Sequence, residues 1–144
     1  MSFHLKCTGK PNTVTIIKNN LDYVFGAYCS SQWSGNSGVF IADNNAFIFS
    51  LRKNGVTNVR KFMVKNPEFA IYGTENTGPT FGCERCDIYI CDESNNKTGS
   101  QTDFGSAYEL PEGYTFQSEN TRSFLGGNYN QWLSTEIEVY QIFP

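Results

Sequence analysis

Three cysteines fall within the nine residues CERCDIYIC, at positions 83, 86 and 91. Cys83-x-x-Cys86 has the spacing of one half of a structural zinc site, and the same spacing lowers a thiol's pKa where it opens a helix in a thioredoxin-like fold. A zinc site needs four ligands, and no second Cys-x-x-Cys or His-x-x-x-His pair follows. The only histidine, His4, is nearly eighty residues away, and Cys7 and Cys29 stand alone. If 86–91 forms a strand, alternation puts Cys86, Ile88 and Ile90 on one face and Asp87, Tyr89 and Cys91 on the other, so Cys86 and Cys91 cannot meet at one ion. The thiols therefore read as structural: the motif leads into a strand, so the helix context that activates a thiol is absent, and Cys83 or Cys86 stays a redox candidate only through exposure.

Carboxylates are the next chemistry-bearing pair. Glu136 and Glu138 are two apart in EIEVYQIF, which places them on one strand face with Tyr140, opposite Ile137 and Val139. Adjacent like charges can raise one pKa and create an acid/base pair, but two exposed carboxylates on a solvated strand are the commoner outcome. GNSGVF, residues 35–40, resembles a serine elbow only superficially: Val39 stands where the second glycine belongs, and no strand-to-helix turn of an α/β fold surrounds it. LGGNYN lacks the lysine and the helix of a phosphate loop, and no EF-hand loop is present. No pattern for a cofactor emerges. Trp33 and Trp132, with several tyrosines, could stack on a sugar, although core packing is the more common use of such rings.

The elements that would position these residues are mainly strands. Of 144 residues, twelve are Phe, eight Tyr and two Trp, and the net charge is −3. The length fits one domain spanning 1–144. Basic residues do not cluster, which argues against nucleic acid and anionic membranes as partners. No stretch reaches the length of a membrane span, and MSFHLKCTGK has no signal-peptide core, so a cytoplasmic location is expected. An odd cysteine count agrees with a reducing compartment, where the sequon at Asn96 would go unused.

Helical spacing of Phe3, Lys6 and Cys7 predicts a short helix broken by GKPN. Strands are expected at TVTIIK (13–18), YVFGAYCS (23–30), AFIFSL (46–51), NVRKFMV (58–64), FAIYG (69–73), CDIYIC (86–91) and EIEVYQIF (136–143). The first two read as a hairpin turned at Asn19-Asn20, and AFIFSL, apolar on both faces, as a central strand. WSGNSG reads as loop, and 92–105 as a long polar mobile loop. Seven short strands with Gly, Asn and Pro turns point to two antiparallel sheets packed as a β-sandwich.

Taken in order, FHLKC, TVTIIK, VFGAYCSSQW, DNNAFIFSL, AIYGTENTGPTFG, CDIYICDESNN, SAYELP, SFLGGNY and EIEVYQI resemble the TLDc domain across essentially the whole chain. The resemblance implies a two-sheet sandwich with short peripheral helices. It marks Gly26, Pro79, Phe81, Gly82, Glu136 and Glu138 as signature positions. It implies no catalytic mechanism; instead it implies a non-enzymatic interaction module, linked in the family to oxidative-stress protection and to binding of the vacuolar proton-pumping ATPase. Relatives usually carry an earlier strand and helix start, so an N-terminally shortened domain with an open sheet edge is expected, and with it self-association or docking onto a protein partner. GAYCS departs from the family at Ala27 and Cys29, a change of packing rather than chemistry. An enzyme using Cys83, Cys86 or the Glu136/Glu138 pair is the second reading, and a carbohydrate-binding sandwich the third.

Overall fold

The computed structural model describes residues 2–34, 38–73, 77–82 and 86–143, with Ser2 and His4 as backbone only. Ser37 and Cys83, both singled out above, lie outside the described residues. A short helix α1 (Ser2–Cys7) leads into β1 (Thr13–Asn19), β2 (Val24–Cys29), β3 (Val39–Ile41), β4 (Phe47–Lys53) and β5 (Val56–Met63). A single 3₁₀ turn (Pro67–Phe69) precedes β6 (Ile71–Gly73), β7 (Thr80–Phe81) and β8 (Ile88–Tyr89). A one-turn helix α2 (Glu119–Arg122) and β9 (Ser134–Gln141) complete the described elements. They form two antiparallel sheets, ordered β5-β4-β2-β1-β9 and β3-β6-β7-β8.

The β-branched run of β1 explains why it sits near the middle of the larger sheet. Thr13, Thr15 and Ile17 turn inward and are buried, while Val14, Ile16 and Lys18 turn outward and are half-buried. The turn after β1 is fixed by Asn19, whose Oδ1 accepts from the N–H groups of Leu21 and Tyr23 and whose Nδ2 donates to the Gly126 carbonyl at 2.7 Å. The β4–β5 hairpin turns at Asn54-Gly55, both at positive φ, the two-residue connection that matches strand twist.

Both sheets contribute to one core. Ile17, Phe25, Ala27, Ile48 and Phe62 from the first face Ile71, Phe81 and Ile88 from the second. Trp33 bridges them, meeting Phe3 and Phe81 edge-to-face at 5.0 and 5.3 Å. Phe62, Phe104, Phe124 and Tyr114 form a second ring cluster.

The helix at the start, the seven expected strand regions and the first hairpin are all present. Three expectations need correction. AFIFSL is an interior strand, flanked by β5 and β2, but it is not covered on both faces: Ile48 and Ser50 turn inward, and Phe47, Phe49 and Leu51 lie on an outer face that no second layer covers among the described residues. The CDIYIC strand shrinks to Ile88–Tyr89, and Asp87 is wholly buried instead of facing outward with Tyr89. The segment 92–105 is not uniformly a surface loop. Its second half turns into the core, with Ser100, Thr102, Asp103, Phe104 and Gly105 buried. Asp103 pairs there with Arg122 at 3.2 Å, and that guanidinium lies over the Tyr129 ring. Two short strands, β3 and β7, lie outside the expected regions, because three and two residues carry no readable periodicity.

Candidate functional site

The structure sorts the six signature positions into two places. Pro79, Phe81 and Gly82 meet in the interior at the start of the smaller sheet, all buried. Gly26, Glu136 and Glu138 lie together on the outer face of the larger sheet.

At the interior place the central group is Asp87. Its Oδ2 accepts from the Gly105 N–H and its Oδ1 from the Ala107 N–H, both at 2.8 Å. Burial pushes this carboxyl up to about 7, against the backbone N–H groups of Ala107, Gly105, Tyr108 and Asp87 itself, which favour the ionised form. Gly82 packs against it at φ +94°, and a Cβ there would stand 2.0 Å from Asp87 Oδ1. The same glycine donates its N–H to the Ala70 carbonyl at 3.0 Å, and Tyr108 donates its hydroxyl to that carbonyl at 2.8 Å. Ala107 in turn accepts from the N–H groups of Lys65 and Asn66, just beyond β5. Asp87 therefore ties both sheets to segment 105–108. Its carboxyl is closed to solvent, so its reach is positional. Sequence reasoning missed it by assigning it a strand position one residue too early.

On the outer face, register lines residues up in rows across five strands. One row runs Tyr140, Val14, Tyr28, Phe47, Met63, and is apolar or aromatic throughout, with Tyr28 and Phe47 stacked at 5.2 Å. The next runs Glu138, Ile16, Gly26, Phe49, Lys61. Gly26 sits at its centre because there is no room for a side chain: a Cβ would stand 1.9 Å from the Thr15 carbonyl oxygen and 2.8 Å from the Phe49 ring. The Phe49 ring thus lies over bare backbone, and an apolar cavity of about 440 Å³ opens beside it, lined by Val14, Ile16, Phe47, Phe49, Leu51 and Val59 with Arg60 and Lys61 at its rim.

Glu136 and Glu138 do share a face, as alternation requires. Each is engaged separately: Glu138 accepts from the Tyr140 hydroxyl at 2.7 Å, and Glu136 stands opposite Lys18 in register. That hydrogen bond holds the Tyr140 phenol above its usual range.

The remaining candidates separate. Trp33 and Trp132 are both in the core, and the Trp33 indole donates to Thr13 Oγ1 at 3.0 Å, so neither can present a stacking platform to a sugar. Burial pushes the Cys29 thiol up to about 12 and raises Cys7 as well. Cys86 and Cys91 are half-exposed, with Cys91 Sγ accepting from Ser100 Oγ at 3.4 Å. Among the described residues no three His, Cys, Asp or Glu side chains converge as metal ligands. No described helix is long and apolar enough to cross a membrane.

A search of curated proteins finds no match. The model of the TLDc domain, by contrast, matches residues 1–143. A match of that extent, on a two-sheet antiparallel fold, places the chain in the TLDc domain family.

Proposed function

We propose that this TLDc domain is a non-enzymatic protein-interaction module that binds through the outer face of its larger sheet. One observation carries the reading: an apolar row five strands wide is left uncovered in the described fold, its end residues Tyr140 and Met63 at 52% and 42% exposure, with Val59 on the same face at 70%. Apolar surface of this kind, rimmed by charge, marks protein contact sites on soluble domains. The family resemblance supplies a direction for the search, towards a subunit of the vacuolar-type proton pump or a factor in oxidative-stress protection, in the cytoplasm. Association through a sheet edge is the other route the sequence suggests, and it would use β9 or β5, the outermost strands of the larger sheet.

The test is a double variant, Val59→Glu with Met63→Lys. Both side chains are exposed, so stability is expected to change by no more than about 0.5 kcal/mol. Recovery of a partner by affinity purification from native cells is expected to fall at least about tenfold relative to the parent, because charges placed on an apolar contact must be desolvated. Equal recovery by parent and variant would remove this face from the reading.

The competing thiol-enzyme reading has its own measurement. Cys29 is expected to resist alkylation in the folded protein at pH 8 and to react only after unfolding, since its raised pKa leaves almost no thiolate. Cys91, half-exposed, is expected to label without unfolding. A cysteine that labels rapidly well below pH 8 would revive the enzyme.

A further inference from the structure

The row through Gly26 reads almost the same from either end once charge is inverted: acid, apolar, glycine, apolar, base. Glu138 stands at the β9 edge and Lys61 at the β5 edge, with Ile16 and Phe49 between them and Gly26 at the midpoint. The neighbouring row repeats the pattern in apolar form, with Tyr140 and Met63 outermost, Val14 and Phe47 inside, and Tyr28 at the centre. We propose that this face is self-complementary and that its occupant is a second copy of the same chain, related by a two-fold axis that lies between the two faces and runs along the strands. The proposal rests on the interaction-module reading and names its partner.

The charges select the axis. A rotation about an axis along the strands carries the β9 edge of one copy over the β5 edge of the other. Glu138 then meets Lys61 twice, Ile16 meets Phe49 twice, and the two Gly26 backbones face each other; in the adjoining row Lys18 comes over Arg52, whose charge is met by Asp22 at 3.2 Å, while Glu136 stands beside Lys18. Rotation about an axis across the strands, centred on the same row, would instead stack β9 on β9 and bring Glu138 against Glu138 and Lys61 against Lys61, like-charge contacts that disfavour it. Closed two-fold symmetry also consumes both faces, so the contact ends at a dimer. The Lys61 ammonium lies 4.3 Å from the Phe47 ring centroid, at the rim of the cavity, from which it can turn to a carboxylate above.

Two sheets stacked this way sit about 10 Å apart with strands crossing at about 30°, the packing found inside β-sandwiches. The Phe49 ring covers the Gly26 backbone, and the apolar cavity beside it, lined by Val14, Ile16 and Leu51, receives the partner's Ile16 and Phe49. With strands about 4.8 Å apart and up to eight residues long, the footprint is roughly 20 Å by 25 Å per copy, near the lower limit for a specific interface. The dimer is therefore reversible, and its population rises with concentration.

Sedimentation equilibrium of the purified chain over a wide concentration range tests this. The mass is expected to rise from 16.2 kDa towards twice that value, with dissociation promoted by salt. Glu138→Lys and Lys61→Glu, each creating two like-charge contacts per dimer, are each expected to weaken association about tenfold. Combined in one chain, they are expected to restore it to near the parent value, since inversion of both ends regenerates the pattern. Circular dichroism of all three variants confirms that both side chains, exposed at the sheet edges, leave the fold intact. A monomer at every concentration overturns the proposal, and so does a double variant as weak as the worse single one, because an edge-to-edge or heterologous dimer has no reason to recover. If the parent stays monomeric while the Val59/Met63 variant loses a cellular partner, the second copy is ruled out and the module reading stands. If it stays monomeric and that variant binds as the parent does, both fall.

Discussion

Replacing Gly82 by alanine is expected to cost about 4 kcal/mol of stability, a large share of a domain total of order 5–15 kcal/mol. Two costs combine. At φ +94° an L side chain is strained, worth about 1–2 kcal/mol. The new methyl would also stand 2.0 Å from Asp87 Oδ1 and 2.8 Å from its backbone nitrogen, so the carboxyl must leave its two N–H donors, each bond being worth about 1.5–3 kcal/mol at pH 8, where the carboxyl is ionised. Gly113→Ala separates the two. It shares the left-handed backbone, at φ +86°, and has nothing within 4 Å of the new methyl, so it should lose about 1 kcal/mol. Urea denaturation followed by the fluorescence of the buried Trp33 and Trp132 reads both. Equal losses at the two glycines would mean that the contact with Asp87 contributes nothing.

The second large effect is on pH. Burial gives Asp87 a native pKa of about 7, above its unfolded value of 3.8. Between those values the folded state holds a proton that the unfolded state has released, so stability must fall as pH rises, by up to about 1.4 kcal/mol per unit. The contribution is whole below about pH 4 and gone above about pH 7. Asp87→Asn removes the titration. Its amide sets one N–H donor against another in the cradle, so the variant should be weaker than the parent at pH 5. The gap should then narrow by roughly 3 kcal/mol towards pH 8, as the parent alone loses stability. Every other titrating group is common to both chains and cancels in the difference. Parallel stability curves from pH 5 to 8 would show that the four backbone donors hold Asp87 ionised throughout.

The contrast between these two places explains how far the sequence could be read. The long strands were legible because their patterns repeat: Thr13, Thr15 and Ile17 against Val14, Ile16 and Lys18 is a full period-two signal, and the β9 carboxylates follow the same rule. Asp87 was not legible. A lone acid before a two-residue strand has no periodicity, and its inward direction is set by N–H groups some twenty residues later in the chain. Phe104 and its buried neighbours were hidden likewise, in a segment whose Ser, Thr and Asp composition suggested solvent but whose polar atoms are partly met by backbone and Arg122. The outer face was visible in part. The sequence made AFIFSL apolar on both sides, and burial on both sides was the natural inference; in the structure the second side remains a surface.

β1 lies between β2, its neighbour in sequence, and β9, which reaches it across 130 residues where the Gln141 side chain meets the Pro11 carbonyl. On the ribosome, the β1–β2 hairpin can close early, but one side of β1 stays unpaired until almost the whole domain has been synthesised. Pairings so distant along the chain form slowly, and a bare β-branched edge recruits other nascent polypeptides in the meantime. Messages truncated upstream of Ser134 would accordingly yield products that depend on chaperones or aggregate, rather than shorter versions that work less well.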